Sequence, residues 1–408
     1  MVLARIFDHN SSLMQASSAD PHNPPPRAAG GRPRRVLIVA GEASGDLHGA
    51  DFATALLARD PQCEIFGIAG ERMRAAGVRA LFNTEDIAGL GVAELASTIR
   101  RTIGAWRALR RILRTAPPDL VVLIDYAEFN LMLAGSARRA GVPVLYYILP
   151  QVWAWRRGRV SKLIQRAARM AVVFPFEAEL YAQAGDRVSF VGHPLLDRAA
   201  AAQDPPATLA RHGFEADARL LAVLPGSRRA EVKYLLEPML KASLVLAAKH
   251  GLTPVVALAP SLAVDDLRSV VGRSVLEGVH IIQQDTYSII AASEIALVAS
   301  GTATLEAALL GCPMVIAYKV SPLTYRMARL LVDGVDFIGM PNLLAGHAIV
   351  PELIQREVTA ANLVSAAEPL LAEPLHGETA AALRAVRQRL GAPGAAGRVA
   401  AMALELMA

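Results

Sequence analysis

The sequence predicts an α/β protein built from two parallel sheets with crossover helices, and three observations predict it. Short apolar runs alternate with stretches of helical periodicity, the pattern left by parallel strands buried on both faces. That pattern occurs twice, on either side of an Ala- and Pro-rich segment running from Asp197 to Thr208. The chain is also 408 residues long, more than one hydrophobic core usually supports.

In chain order, residues 1–33 contain Pro21, Pro24, Pro25, Pro26, Gly30, Gly31 and Pro33 with no apolar core of the signal-peptide kind, and read as a disordered tail. Val36 to Ala40 is a buried strand, and Gly41-Glu42-Ala43-Ser44-Gly45-Asp46 turns it into a helix beginning near Leu47. Ile65 to Ile68, Leu120 to Ile124, Val144 to Tyr147 and Ala171 to Phe174 supply further strands. Strands alternating with helices make residues 34–197 a Rossmann-like domain. Asp197 to Thr208 has no strong periodicity and reads as a linker. Leu220 to Leu224, Val255 to Leu258, Val279 to Ile282, Ile295 to Val298 and Met314 to Ala317 then repeat the theme over residues 198–358. Residues 359–408 are helix-forming and rich in Ala and Leu. Ligands of open α/β sheets bind beyond the carboxyl ends of the strands, so the two domains are expected to face each other across a cleft.

Hydrophobic residues make up 53% of the chain, enough for two large cores. Glu294, Glu306 and Lys319 interrupt the apolar stretches before they reach the ~20 residues of a membrane span, so no transmembrane helix is expected. With no signal peptide read either, the expected location is the cytosol. Two cysteines, Cys63 and Cys312, suggest neither a disulfide framework nor a zinc site. A net charge of +5 permits anionic partners. No DNA- or RNA-binding module is recognisable, which argues against nucleic acid.

Two loops carry chemistry. Leu224-Pro225-Gly226-Ser227-Arg228-Arg229-Ala230-Glu231-Val232 and Ser300-Gly301-Thr302-Ala303-Thr304-Leu305-Glu306-Ala307-Ala308 each follow an apolar run and place small residues where a helix starts. A helix start offers unpaired amides and a positive dipole end, and Arg228 adds a forked cation, so together they suggest one pyrophosphate pocket. Alone, the first loop reads rather as an ordinary strand-to-helix connection with a surface Arg; the pair is what points to a pocket.

Resemblance to a family rests on these loops and six further motifs in order: Ala40 to Asp46; Gly67-Ile68-Ala69-Gly70; Ile124-Asp125-Tyr126-Ala127-Glu128-Phe129-Asn130; Gln151-Val152-Trp153-Ala154-Trp155-Arg156; Val191-Gly192-His193-Pro194; and Met340-Pro341-Asn342-Leu343-Leu344-Ala345-Gly346. In this combination the chain, from about Arg35 onward, resembles the lipid-A-disaccharide synthases. The resemblance implies a GT-B glycosyltransferase. Its donor would be UDP-2,3-diacylglucosamine, its acceptor 2,3-diacylglucosamine 1-phosphate, and its products the β-linked lipid A disaccharide 1-phosphate and UDP. It implies work on the inner face of the inner membrane. It also implies C-terminal helices that cross back or are exchanged in a homodimer.

Inversion at the sugar needs a base for the acceptor hydroxyl and a means to hold the departing diphosphate. Asp125, just beyond a buried run, is the candidate base; read from position alone it caps the next helix or fixes the loop through Asn130, and the resemblance tips the balance to catalysis. Ala127 and Glu128 stand where the family pattern has Pro and Asp, which leaves a separate role for Glu128 open. His48 and His193 rank behind Asp125 as bases. No Asp-x-Asp motif follows a strand, so neither metal nor cofactor is expected; Arg228 with the amides of Gly226, Ser227, Gly301 and Thr302, beside Ser300, would hold the leaving group. The resemblance assigns Glu306 to the donor's ribose, the alternative being a favourable acid near a helix start. Asn342 and Gln355 match family positions near the donor, or simply satisfy loop backbone. Gly41, Glu42, Ser44 and Asn130 fall on the acceptor side, with Ser44 or Asp46 equally readable as an N-cap.

A lipid substrate should leave a trace, and Ile99, Ile103, Trp106, Leu109 and Leu113 recur at helical spacing among Arg100, Arg101, Arg107, Arg110, Arg111 and Arg114. Ile103, Trp106, Arg107 and Arg110 are the expected contacts with an anionic membrane; the alternative is a core-facing stripe with a solvated basic back, and a partly buried stripe reconciles both. Trp153 and Trp155 with Arg156, Arg157 and Arg159 form a second aromatic and basic patch. Two rival functions stand beside the transferase: a non-hydrolysing UDP-sugar epimerase, and a membrane-surface protein with a degenerate nucleotide-sugar site. Fold class alone does not separate them.

Overall fold

A computed structural model describes residues 32–87, 95–150, 157–201, 204–276, 279–322, 324–326 and 336–408. Residues 1–31 of the expected tail, and Trp153, Trp155 and Arg156, lie outside the described residues. The chain divides into two compact units, one ending at Pro194 and regaining Gly394–Ala408, the other Leu195–Pro393.

The first unit holds a seven-stranded sheet: β1 (Arg35–Ala40), β2 (Glu64–Ala69), β3 (Arg79–Asn83), β4 (Leu120–Ile124), β5 (Val144–Tyr147), β6 (Arg169–Val172) and β7 (Val188–Phe190). All are parallel, in the order β3-β2-β1-β4-β5-β6-β7. The second holds β8 (Leu220–Leu224), β9 (Thr253–Leu258), β10 (His280–Gln283), β11 (Ser293–Ala299), β12 (Met314–Tyr318) and β13 (Glu352–Ile354), again all parallel, in the order β10-β9-β8-β11-β12-β13. In each sheet the strand order reverses beside the unit's first strand, between β1 and β4 and between β8 and β11. Such switch points open a crevice beyond the strands' carboxyl ends.

Three strands were not expected, β3, β7 and β13, and all three are sheet edges. Edge strands cover only part of their surface, so they carry Arg79, Asn83, Ser189 and Glu352 rather than continuous apolar runs. The expected linker is also corrected. Its described residues 197–201 and 205–208 lie in the helices Leu195–Ala201 and Pro205–Arg211, because Ala favours helix, two prolines suit a first turn, and Asp204 accepts from the Ala207 amide at 3.1 Å.

The C-terminal residues form the helices Ala360–Ala367, Leu375–Arg389 and Ala395–Leu406. The last of them belongs to the first unit, packing on the helix Ala43–Leu57. Arg398 Nε donates to the Val191 carbonyl at 2.9 Å and Arg169 pairs with Glu405 at 2.7 Å.

The helix Leu95–Thr115 divides its apolar stripe. Leu109 and Leu113 lie in the first core, each contributing about 1.5–3 kcal/mol by burial, whereas Ile99 is 50% and Ile103 44% exposed. Among the described residues no helix is long and apolar enough to cross a membrane.

Candidate active site

In the first unit the register pairs Ala40 with Ile124, so Gly41 and Asp125 leave neighbouring strands side by side at the switch point. The turn at β4 is strained: Asp125 has φ 48° and Tyr126 φ 50°, a left-handed conformation that costs non-glycine residues on the order of 1–3 kcal/mol each. The Asp125 amide donates to the Ile148 carbonyl at 3.0 Å, and Ile148 is itself at φ 58°. Gly41 is required beside this turn, since a Cβ there would lie 2.1 Å from Cγ of the Tyr126 ring.

Burial, followed by the charge of Glu42, pushes the Asp125 carboxyl up to about 6, against a smaller downward pull from the Tyr126 amide. The alternative base His193 fares worse. His193 is buried against the Phe174 ring at 5.1 Å, and burial with neighbouring His48 drives its pKa down to about 3, a poor base near neutral pH.

Asn130, expected on the acceptor side, is corrected to a brace. It is 0% exposed, and its Nδ2 donates to the carbonyls of Ile124 at 3.1 Å and Asp125 at 2.6 Å. Asn130→Ala removes both bonds; about 1–3 kcal/mol of stability in urea unfolding and at least a tenfold loss of activity are expected. Glu42 and Ser44 flank the turn on its accessible side. The helix there begins at Ala43, earlier than expected, and neither residue caps it through a side chain bond. Asp46 serves a different helix: its buried carboxylate accepts from the amides of Gly70 at 2.8 Å, Arg72 at 3.0 Å and Met73 at 3.1 Å. Glu128 is exposed and ion-paired with Arg159.

In the second unit the registers pair Val298 with Leu224, Ala299 with Ala317 and Tyr318 with Ile354, so the loops after β8, β11 and β13 emerge together. Gly226 has φ 113°, a turn that favours glycine. Ser227 and Arg228 head the helix Arg229–His250, but their amides have an occupant: Glu231 Oε2 accepts from them at 2.9 and 3.3 Å, and its Oε1 lies 3.3 Å from an Arg228 guanidinium nitrogen. The expected anion cradle thus already holds an anion, the chain's own carboxylate. Sequence reasoning had the signal in hand, an acid at the third helical position, which forms a capping box.

Gly301 and Thr302 are exposed at the head of the helix Thr302–Leu309, whose first-turn amides lack intrahelical partners. Ser300 Oγ donates to the Ile338 carbonyl at 3.3 Å. One turn into the helix, Glu306 is half-buried and accepts from the Tyr287 hydroxyl at 3.1 Å. Burial raises its pKa, opposed by that bond and by the charge of Arg198.

Asn342 is corrected to a structural brace. Fully buried, it donates to the Val350 carbonyl and to Glu352, both at 2.8 Å, and accepts from the amides of Ile349 and Val350. Glu352 was missed in the sequence; it also receives the Ile338 and Gly339 amides, capping the helix Met340–Ala345. Gln355, beyond β13, stands at φ 56° with its buried Nε2 unpaired, and strain with an unsatisfied donor is a mark of binding sites.

Trp106, an expected membrane contact, is corrected in part: its ring packs against the first core and its indole nitrogen is buried, because it lies on the stripe's core-facing side. Arg110 sits 5.3 Å over that ring, and Arg107 is exposed. No group of three or more His, Cys, Asp or Glu that could hold a metal ion occurs among the described residues.

Two parallel α/β units, each with its strand order reversing beside its first strand, define a GT-B-like architecture. Solved structures of the same fold include the calicheamicin glycosyltransferase CalG4, at TM-score 0.60 and 18% identity over 92% of this chain and 98% of that one. A Staphylococcus aureus MnaA complex with UDP aligns at TM-score 0.60 and 13% identity, over 91% of this chain and 95% of that one. The family model for lipid-A-disaccharide synthetase matches residues 36–396, and the chain belongs to that family. The lipid-A-disaccharide synthase of Geobacter metallireducens is 44% identical over 92% of this chain and 97% of its own. That of Syntrophus aciditrophicus is also 44% identical, over 91% and 97%. The protein is therefore an enzyme, a glycosyltransferase of lipid A synthesis.

Proposed function

We propose that the enzyme is an inverting transferase that condenses UDP-2,3-diacylglucosamine with 2,3-diacylglucosamine 1-phosphate, giving the β-linked lipid A disaccharide 1-phosphate and UDP. The observation that carries this reading is Asp125: a carboxylate on a strained backbone turn at the switch point of the first sheet, with its pKa raised to about 6. Its carboxylate takes the proton of the acceptor hydroxyl while that oxygen attacks the donor's anomeric carbon. The bond from that carbon to the diphosphate breaks, and UDP leaves with the electron pair.

Arg228 and the helix-start amides, Gly301 and Thr302 among them, stabilise the charge on the departing diphosphate without a metal. Glu306 accepts from the ribose hydroxyls, and the unpaired amide of Gln355 faces the donor. Glu42 and Ser44 meet the acceptor, in a turn that Gly41 and Asn130 hold in shape. Purified protein in EDTA should form disaccharide and free UDP in equal amounts from these two substrates. Failure to do so, even after magnesium is added, would sink the assignment.

The substrates carry acyl chains, and the enzyme works as a peripheral protein on the inner face of the inner membrane. Exposed Ile99 and Ile103 enter the headgroup boundary while Arg107 and its neighbours meet anionic lipid. Ile99→Glu with Ile103→Glu is expected to cut co-sedimentation with anionic phospholipid vesicles about tenfold, by losing buried apolar area and adding negative charge. Sedimentation equal to wild type would exclude this face.

A further inference from the structure

We propose that Tyr287 is a positioning residue that sets Glu306 for the donor's ribose diol; this rests on the reading of Glu306 given above. Tyr287 stands in the first turn of the helix Thr286–Ala292, which packs on the helix carrying Glu306. Its hydroxyl donates to Oε1 of Glu306 at 3.1 Å, and among the described residues that carboxylate takes no other hydrogen bond. Glu306 is only partly buried, so an incoming hydroxyl can reach its carboxylate.

A half-buried carboxylate with most of its accepting capacity unused is costly without further donors, and a ligand that supplies two adjacent hydroxyls satisfies it. Position agrees: Glu306 lies four residues after Thr302, on the same helix face as the exposed helix start. A nucleotide with its diphosphate on that start therefore has its ribose near Oε2. Tyr287 fixes the plane of the carboxylate and, with Arg198 from the neighbouring helix Leu195–Ala201, favours its ionised, accepting form.

The test compares dissociation constants of UDP and 2′,3′-dideoxy-UDP, measured by titration calorimetry on the full chain. Wild type is expected to prefer UDP by roughly 10–100-fold, the range of a hydrogen bond to a charged group. Tyr287→Phe should lower that preference about threefold to tenfold, weakening UDP while leaving the dideoxy analogue and the melting temperature nearly unchanged. If Tyr287→Phe weakens both nucleotides alike, or leaves the preference intact, while Glu306→Gln collapses it, Tyr287 serves packing only and the inference fails. If Glu306→Gln also leaves the preference intact, Glu306 does not read the ribose and both readings fall.

Discussion

Asp125→Asn is expected to lose activity and gain stability together. The amide cannot take the acceptor's proton, so turnover should fall by about 10²–10⁴-fold, the usual contribution of a positioned base. Its stability effect follows from the raised pKa, about 6 in the fold against 3.8 unperturbed. The folded state favours the protonated carboxyl. The resulting stabilisation is fully present below the unperturbed value and is lost as pH rises through about 6. A shift of this size is worth at most about 3 kcal/mol, and about 1–2 kcal/mol after discounting for the solvent that reaches this partly buried turn. The neutral variant should therefore unfold at higher temperature than wild type at pH 7 and match it near pH 3.5. The wild type's kcat/KM should rise with pH and flatten above about 6, falling to roughly a tenth of the plateau at pH 5. A variant with near-normal turnover, or a pH profile flat from 5 to 8, would remove Asp125 from catalysis.

The strain at this turn was not legible in the sequence. Ile124-Asp125-Tyr126 reads as the end of a buried strand, and nothing in those letters requires three left-handed residues around it. They are held by contacts from afar: the Ile148 carbonyl on the Asp125 amide, the Asn130 side chain on two carbonyls, and the Tyr126 ring over Gly41. What the sequence does disclose well is the sheet interior. Central parallel strands such as Leu120–Ile124 are buried along their whole length, so every residue must be apolar. The edge strand Val188–Phe190 is only half-covered and leaves no such run.

The same distinction governs the polar residues. Asn130, Asn342 and Glu352 look from the sequence like candidates to meet a ligand or go unnoticed, Asp46 reads as a cap of its own helix, and each instead satisfies backbone amides or carbonyls elsewhere in the fold. Spacing shows that a polar residue lies near a loop. Only the partners show whether it faces inward, and those partners are distant in sequence.

Arg228→Ala carries the other large expected effect. If the guanidinium stabilises charge on the leaving diphosphate, turnover should fall about 10²–10³-fold, in EDTA and in magnesium alike. Arg228→Lys should recover only part, since a point charge replaces a planar fork. The complication is Glu231, whose carboxylate rests on the Ser227 and Arg228 amides and beside the guanidinium. A diphosphate that uses those donors must turn this carboxylate away, so UDP binding has to overcome a competing internal anion. Glu231→Gln keeps an oxygen able to cap the helix but removes the charge, and should bind UDP several-fold more tightly. Should UDP affinity stay unchanged in both Arg228→Ala and Glu231→Gln, the loop after β8 is an ordinary capped helix start, and the diphosphate rests on the Gly301 and Thr302 amides alone.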